Sequence, residues 1–185
     1  KGESKCTEER STIKEAQSLV EDLLWVLVKK VAVGSKEDIE KWIRQVVIKT
    51  HKSSQQPVCP FAKKTLEDNK IQIAMAKKDV LSQINHCCSL FNIFHLDIVI
   101  LYFDNKITER KLSNICKKAH RQNPLFAIMY DHPANNGLHK GVSFSYGKAP
   151  LIMIQGMAKL KQAQQKLKKS GYYDKWDIDS FDQFY

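Results

Sequence analysis

The stretch Asp97-Ile98-Val99-Ile100-Leu101-Tyr102-Phe103 is the strongest strand signal in the chain. Its β-branched and aromatic residues suit a packed, pleated surface, and the run reads as a strand. Upstream, Ile71, Ile73 and Met75 alternate with Gln72, Ala74 and Ala76, which predicts a second strand over 71–76. Between the two, Asp79 opens a helix carrying Val80, Ile84, Cys87, Cys88 and Phe91. Downstream, Thr108 caps a helix whose apolar stripe is Leu112, Ile115, Cys116 and Ala119, and Asn123-Pro124 stops it. Leu125 to Tyr130 is then a third strand. Leu151, Ile154, Met157, Leu160 and Leu167 fall at helical spacing and predict a helix from near Pro150 that tolerates Gly156. Strands separated by helices of this length give an α/β (or α+β) fold, a small sheet of about three strands packed with helices.

An extra helix precedes this core. Residues 1–10 are polar and expected to fray, and from Ser11 the positions Ile13, Ala16, Val20, Leu23, Leu24, Leu27, Val28 and Val31 recur at helical spacing up to Gly34. Ser35 then caps a second helix, with Asp38 as the short partner of a capping box and Ile39, Trp42, Ile43, Val46 and Val47 on its apolar face. The chain reads as a single domain over 1–185, with a helical part at 11–50, an α/β core at 59–168 and an acidic, aromatic tail at 172–185. That tail alternates Asp174, Asp177, Asp179 and Asp182 with Trp176, Phe181 and Phe184, and is expected to dock back on its own chain.

Composition narrows the class. With 185 residues, 43% apolar and 27% charged, the chain has enough material for one ordinary core. No apolar run approaches the roughly 20 residues that cross a bilayer. The longest, Leu23 to Val33, is cut by Lys29-Lys30. No membrane partner is expected. Five cysteines without a Cys-x-x-Cys pair point to free buried thiols in a reducing compartment, hence a cytoplasmic address, or an organelle interior if a targeting segment was trimmed. The net charge of +10 gathers partly on Lys159, Lys161, Lys166, Lys168 and Lys169. Such a balance suits nucleic acid or acidic substrates, but lysine outweighs arginine, the better fork for phosphate, so nucleic acid is disfavoured.

The chemistry concentrates between the third strand and Pro150. Asp131, His132, Asn135, Asn136, His139, Lys140, Ser143, Ser145, Tyr146 and Lys148 form a mixed inventory suited to a polar or anionic small molecule. Gly137, Gly141 and Gly147 let the backbone approach a ligand, and a helix opening after Lys148 would offer its N-terminus to an anion. His132 stands at a strand's carboxyl end, where open α/β sheets collect ligands. Cys59 follows the polar loop 51–58 and, with Pro60 at the first helical position, sits where a helix start lowers a thiol pKa. Cys59 and His132 are therefore the candidate catalytic pair. A metal, if present, would involve His132 and His139, although no ligand spacing supports one; the sequence specifies no cofactor.

Trp42-Ile43-Arg44-Gln45-Val46-Val47-Ile48 followed by Cys59-Pro60-Phe61-Ala62-Lys63 resembles the N-terminal signature of the bacterial and plastid domain-of-unknown-function family fourteen-fifteen. Tyr130-Asp131-His132-Pro133 and Ser145-Tyr146-Gly147-Lys148-Ala149-Pro150 occupy the places of that family's His-Pro and of the segment that opens its following helix. Ile152 stands where the family has a second proline, and the link before Cys59 is longer. The resemblance runs over about residues 39–168 and implies that Cys59 and His132 share one pocket, without supplying a reaction. The leading expectation is thus a small-molecule pocket, with an enzyme using Cys59 and/or His132. The alternatives are a nucleic-acid module using the basic helix 157–169, or an interaction protein working through its tail or first helix, as in a homodimer.

Overall fold

The computed structural model describes residues 35–103, 107–135 and 138–176. The helix expected over 11–31, Asn136, and the tail beyond Trp176 lie outside the described residues.

Local signals place most elements. Ser35 Oγ accepts from the Asp38 N–H at 3.2 Å, and the Asp38 carboxylate accepts from the Ser35 N–H at 3.5 Å, which closes a capping box at helix α1 (Lys36–Trp42). The helix runs on into a π-helical turn, Ile43–Val47, so that Ile39, Ile43 and Val47 all face inward. Cys59 to Phe61 make a turn before α2 (Ala62–Glu67), which begins two residues later than Pro60 suggests. Strand β1 (Ile71–Met75) leads to α3 (Val80–Leu90), whose first turn is capped by Asp79. Strand β2 (Ile98–Tyr102) is followed by α4 (Glu109–Gln122), capped by Thr108. Strand β3 (Phe126–Asp131) is followed by a two-residue-stranded hairpin, β4 (Leu138–His139) and β5 (Val142–Ser143). The connection from Asp131 to Lys148 therefore carries structure of its own. Lys140 and Gly141, at φ 49° and 77°, make the left-handed turn that a tight hairpin requires.

The next element corrects the sequence reading. Leu151–Gly156 is a strand, β6, and the helix α5 begins only at Met157 and runs to Lys169. Leu151, Ile154 and Met157 do fall at helical spacing. Yet Leu-Ile-Met-Ile is also an unbroken apolar run, and it has become a central strand with Leu151, Ile152 and Ile154 each fully buried. The sheet thus has four strands, ordered β1-β2-β6-β3, with β1 parallel to β2 and β6 antiparallel to both β2 and β3.

Alternation along the strands divides the core. Val99, Leu101, Ile128, Ile152 and Ile154 pack with Ile84 and Cys88 of α3 and with Leu112, Cys116 and Ala119 of α4. Ile73, Ile100 and Leu151 face the other way, against Ile39, Ile43, Val47, Ala62, Tyr146 and Ala149. Helix α5 packs on β6 and β3. Because β6 opposes both neighbours, β1, β2 and β3 run in one direction and end together. Met75, Tyr102, Leu151 and Asp131 form one row across that edge.

Candidate functional site

At the carboxyl edge of the three like-directed strands, Asp131, Ser143, Ser145 and Tyr146 are tied together. Asp131, at the end of β3, is buried with 9% exposure. Its carboxylate accepts from the Ser145 hydroxyl at 2.8 and 3.0 Å and from the Tyr146 backbone N–H at 2.7 Å. The Ser143 hydroxyl in turn accepts from the Ser145 N–H at 3.3 Å. Asp131 is therefore the clamp that folds 143–146 back over the sheet edge, and its lone pairs are spent on the loop. A buried carboxylate requires such pairing.

The clamp delivers the Tyr146 side chain beside Trp42 of α1, with ring centroids 5.6 Å apart in an edge-to-face arrangement. Tyr146 is 6% exposed, and burial, with the nearby Asp38 and Tyr102 as lesser causes, pushes its phenol up to about 12. The hydroxyl stays protonated and is a hydrogen-bond donor at neutral pH. Neither that hydroxyl nor the neighbouring Trp42 Nε1–H finds a partner among the described residues. Buried donors left this way cost about 1–3 kcal/mol each, and native proteins leave few of them. Lys148, two residues on, donates to the Asp38 carboxylate at 3.0 Å. That bond, with the Ser35 N–H, holds the Asp38 carboxyl below its ordinary range. The edge thus presents two buried donors next to a matched, half-exposed ion pair.

An anion site at a helix start after Lys148 is not present, because Ala149-Pro150 leads into β6 and Lys148 is engaged by Asp38. Cys59 also departs from expectation. Burial pushes its thiol pKa up, and the nearby Phe61 and Ala62 backbone N–H groups, which favour the thiolate, offset only part of that rise. It packs against the core beside Ile43 and Ala62. The pairing of Cys59 with His132 has no hydrogen bond behind it. His132 Nε2 donates to the Ile107 carbonyl at 2.9 Å, and Nδ1 accepts from the Ala134 N–H at 3.1 Å, so both ring nitrogens are engaged by backbone. His139 lies against Phe144, centroids 4.9 Å apart, and the Asn135 N–H donates to the His132 carbonyl. Among the described residues no group of three or more His, Cys, Asp or Glu side chains is placed to hold a metal.

Trp42 and Asp38 belong to this site and were read from the sequence only as a core residue and a cap. Nothing local announces their role, since Asp38 meets Lys148 across 110 residues. A cavity of about 480 Å³ lies elsewhere, against α4, lined by Thr108, Arg110, Lys111, Asn114, Ile115 and Lys118, and includes none of the residues above. None of the described helices is long and apolar enough to cross a membrane.

Compared with known proteins, the chain matches no family model, no curated protein and no solved structure. The resemblance to family fourteen-fifteen accordingly rests on its motifs.

Proposed function

We propose that the protein binds a small polar molecule at the carboxyl edge of its sheet. The observation that carries this is the pair of buried donors, Tyr146 Oη and Trp42 Nε1, which lack a partner among the described residues and lie beside the Asp38–Lys148 ion pair. Two donors on rings packed edge to face suit one acceptor-rich group, such as a carboxylate or a phosphate monoester. Lys148 offsets the charge of Asp38, so an anion meets no net repulsion there. The geometry favours binding over thiol chemistry: the raised pKa of Cys59 keeps it a thiol, and His132 has no free nitrogen to serve as a base. Nucleic-acid binding along α5 is the weaker reading, since Lys159 is paired with Asp97 at 2.6 Å.

The test follows the Trp42 indole N–H resonance in proton–nitrogen spectra of the full chain while inorganic phosphate, phenyl phosphate and benzoate are titrated. At least one is expected to shift that resonance saturably. Tyr146→Phe, which removes one hydrogen bond, is expected to weaken that binding about tenfold. If none of the three moves Trp42, or Tyr146→Phe binds as well as the parent, the site is not a ligand site.

A further inference from the structure

The loop that carries Tyr146 is held from a second side. After α5 the chain turns at Gly171, and the Tyr172 hydroxyl donates to the carbonyl oxygens of Pro57, at 3.0 Å, and of Val58. Trp176 then enters the fold completely, with 0% exposure. Its ring stands perpendicular to Phe144 at 4.9 Å and edge-on to His51 at 5.8 Å. His51 is itself fixed by Nε2 donating to the Val46 carbonyl at 2.8 Å. Burial is the largest cause that pushes the Tyr172 phenol up, and the buried Trp176 indole N–H completes no hydrogen bond among the described residues. Trp176 thus bridges two loops distant in sequence, 51–58 and 138–146.

Phe144 lies one residue before Ser145 and two before Tyr146. Asp131 holds that turn through polar bonds, and Trp176 packs its ring against Phe144. We propose that Trp176 is a positioning residue for the Tyr146 site: through Phe144 it fixes the turn that brings the Tyr146 hydroxyl beside Trp42. The segment 171–176 is then a strap whose hold on the hairpin sets how well the site is formed. The functional part rests on the ligand-site reading above; the mechanical part does not.

The experiment is amide hydrogen exchange on the full chain without ligand. Removing the ring with Trp176→Ala is expected to speed exchange of the Tyr146 amide, bonded to Asp131, by about tenfold or more, while the amides of β2 keep parental rates. Phe144→Ala, which removes the same contact from the hairpin side, is expected to give the same pattern and serves if Trp176→Ala does not fold. The parental rate at Tyr146 in Phe144→Ala would overturn the proposal. So would an equal acceleration across β2 and the loop, since Trp176 would then be a general core residue. In variants that show the selective pattern, the Trp42 resonance response to phenyl phosphate should weaken about tenfold; an unchanged response overturns the link to the site.

Discussion

Replacing Asp131 with alanine removes the acceptor of two donors at one point, one of them bifurcated. The Ser145 hydroxyl loses both carboxylate oxygens, and the Tyr146 N–H, in a buried setting, loses its acceptor. Hydrogen bonds to charged groups contribute about 1.5–3 kcal/mol, and a stranded buried donor costs about 1–3 kcal/mol. Ser145 is half-buried and turns toward water once released, so its two bonds count as little more than one. The expected loss for Asp131→Ala is therefore about 3–4 kcal/mol. Asp131→Asn is the informative companion. Its carbonyl still accepts from the Tyr146 N–H, and its amide donates to the Ser145 oxygen, so only the charge-assisted part is lost, about 1 kcal/mol. Urea unfolding at neutral pH, followed by tryptophan fluorescence, measures both, provided the denaturant slope is unchanged. A loss below about 1 kcal/mol in Asp131→Ala, or equal losses in the two variants, refutes the clamp.

Two further outcomes test the frame around the site. Leu101, fully buried on the α3–α4 side of β2, should cost about 3 kcal/mol when cut to alanine, whereas Leu138→Ala on the exposed hairpin strand should stay within about 0.5 kcal/mol; similar losses at both positions would contradict the burial of β2. The second concerns alkaline pH. Burial pushes the thiols of Cys88 and Cys116 up to about 12 and that of Cys87 up to about 11, with a smaller lowering by Lys77 for the last. In the unfolded chain they ionise near their ordinary value of about 8.5. Above that value the unfolded state releases protons that the folded state retains, so stability is full below it and falls as pH rises toward the folded values. The urea midpoint should drop between about pH 8 and pH 10, and Cys116→Ala should flatten the drop; a level profile in the parent would count against the buried thiols.

What could be read from the sequence was what is local. The caps at Ser35, Asp79 and Thr108 each lie three residues from the N–H that they accept, and all three hold. The run at Ile98–Tyr102 is a strand because no helical stripe competes with it. Leu151–Gly156 went the other way. Its residues satisfy a helical stripe and a buried strand equally, and the choice is made by β2 and β3, which need a partner between them. No window of sequence contains that partner. The four-stranded sheet is thus the three-stranded expectation plus the one segment whose structure is set entirely by its neighbours.

The site divides along the same line. Asp131, Ser143, Ser145 and Tyr146 lie close in the chain, and their mixed polarity marked them as one unit; the structure binds them into one. Cys59 draws notice by its place at a helix start and His132 by its place at a strand's carboxyl end, but burial raises the Cys59 thiol pKa and backbone groups occupy both His132 ring nitrogens. The positioning turns on which polar atoms the fold leaves without a partner. Composition cannot express that, because Tyr146 and Trp42 look like ordinary core aromatics until their hydroxyl and indole N–H are seen buried, with no partner among the described residues, at the edge where three strands end. A ligand that accepts from both donors gains one more hydrogen bond in the parent than in Tyr146→Phe, so phenyl phosphate should raise the urea midpoint of the parent more than that of the variant, and an equal rise would count against the site.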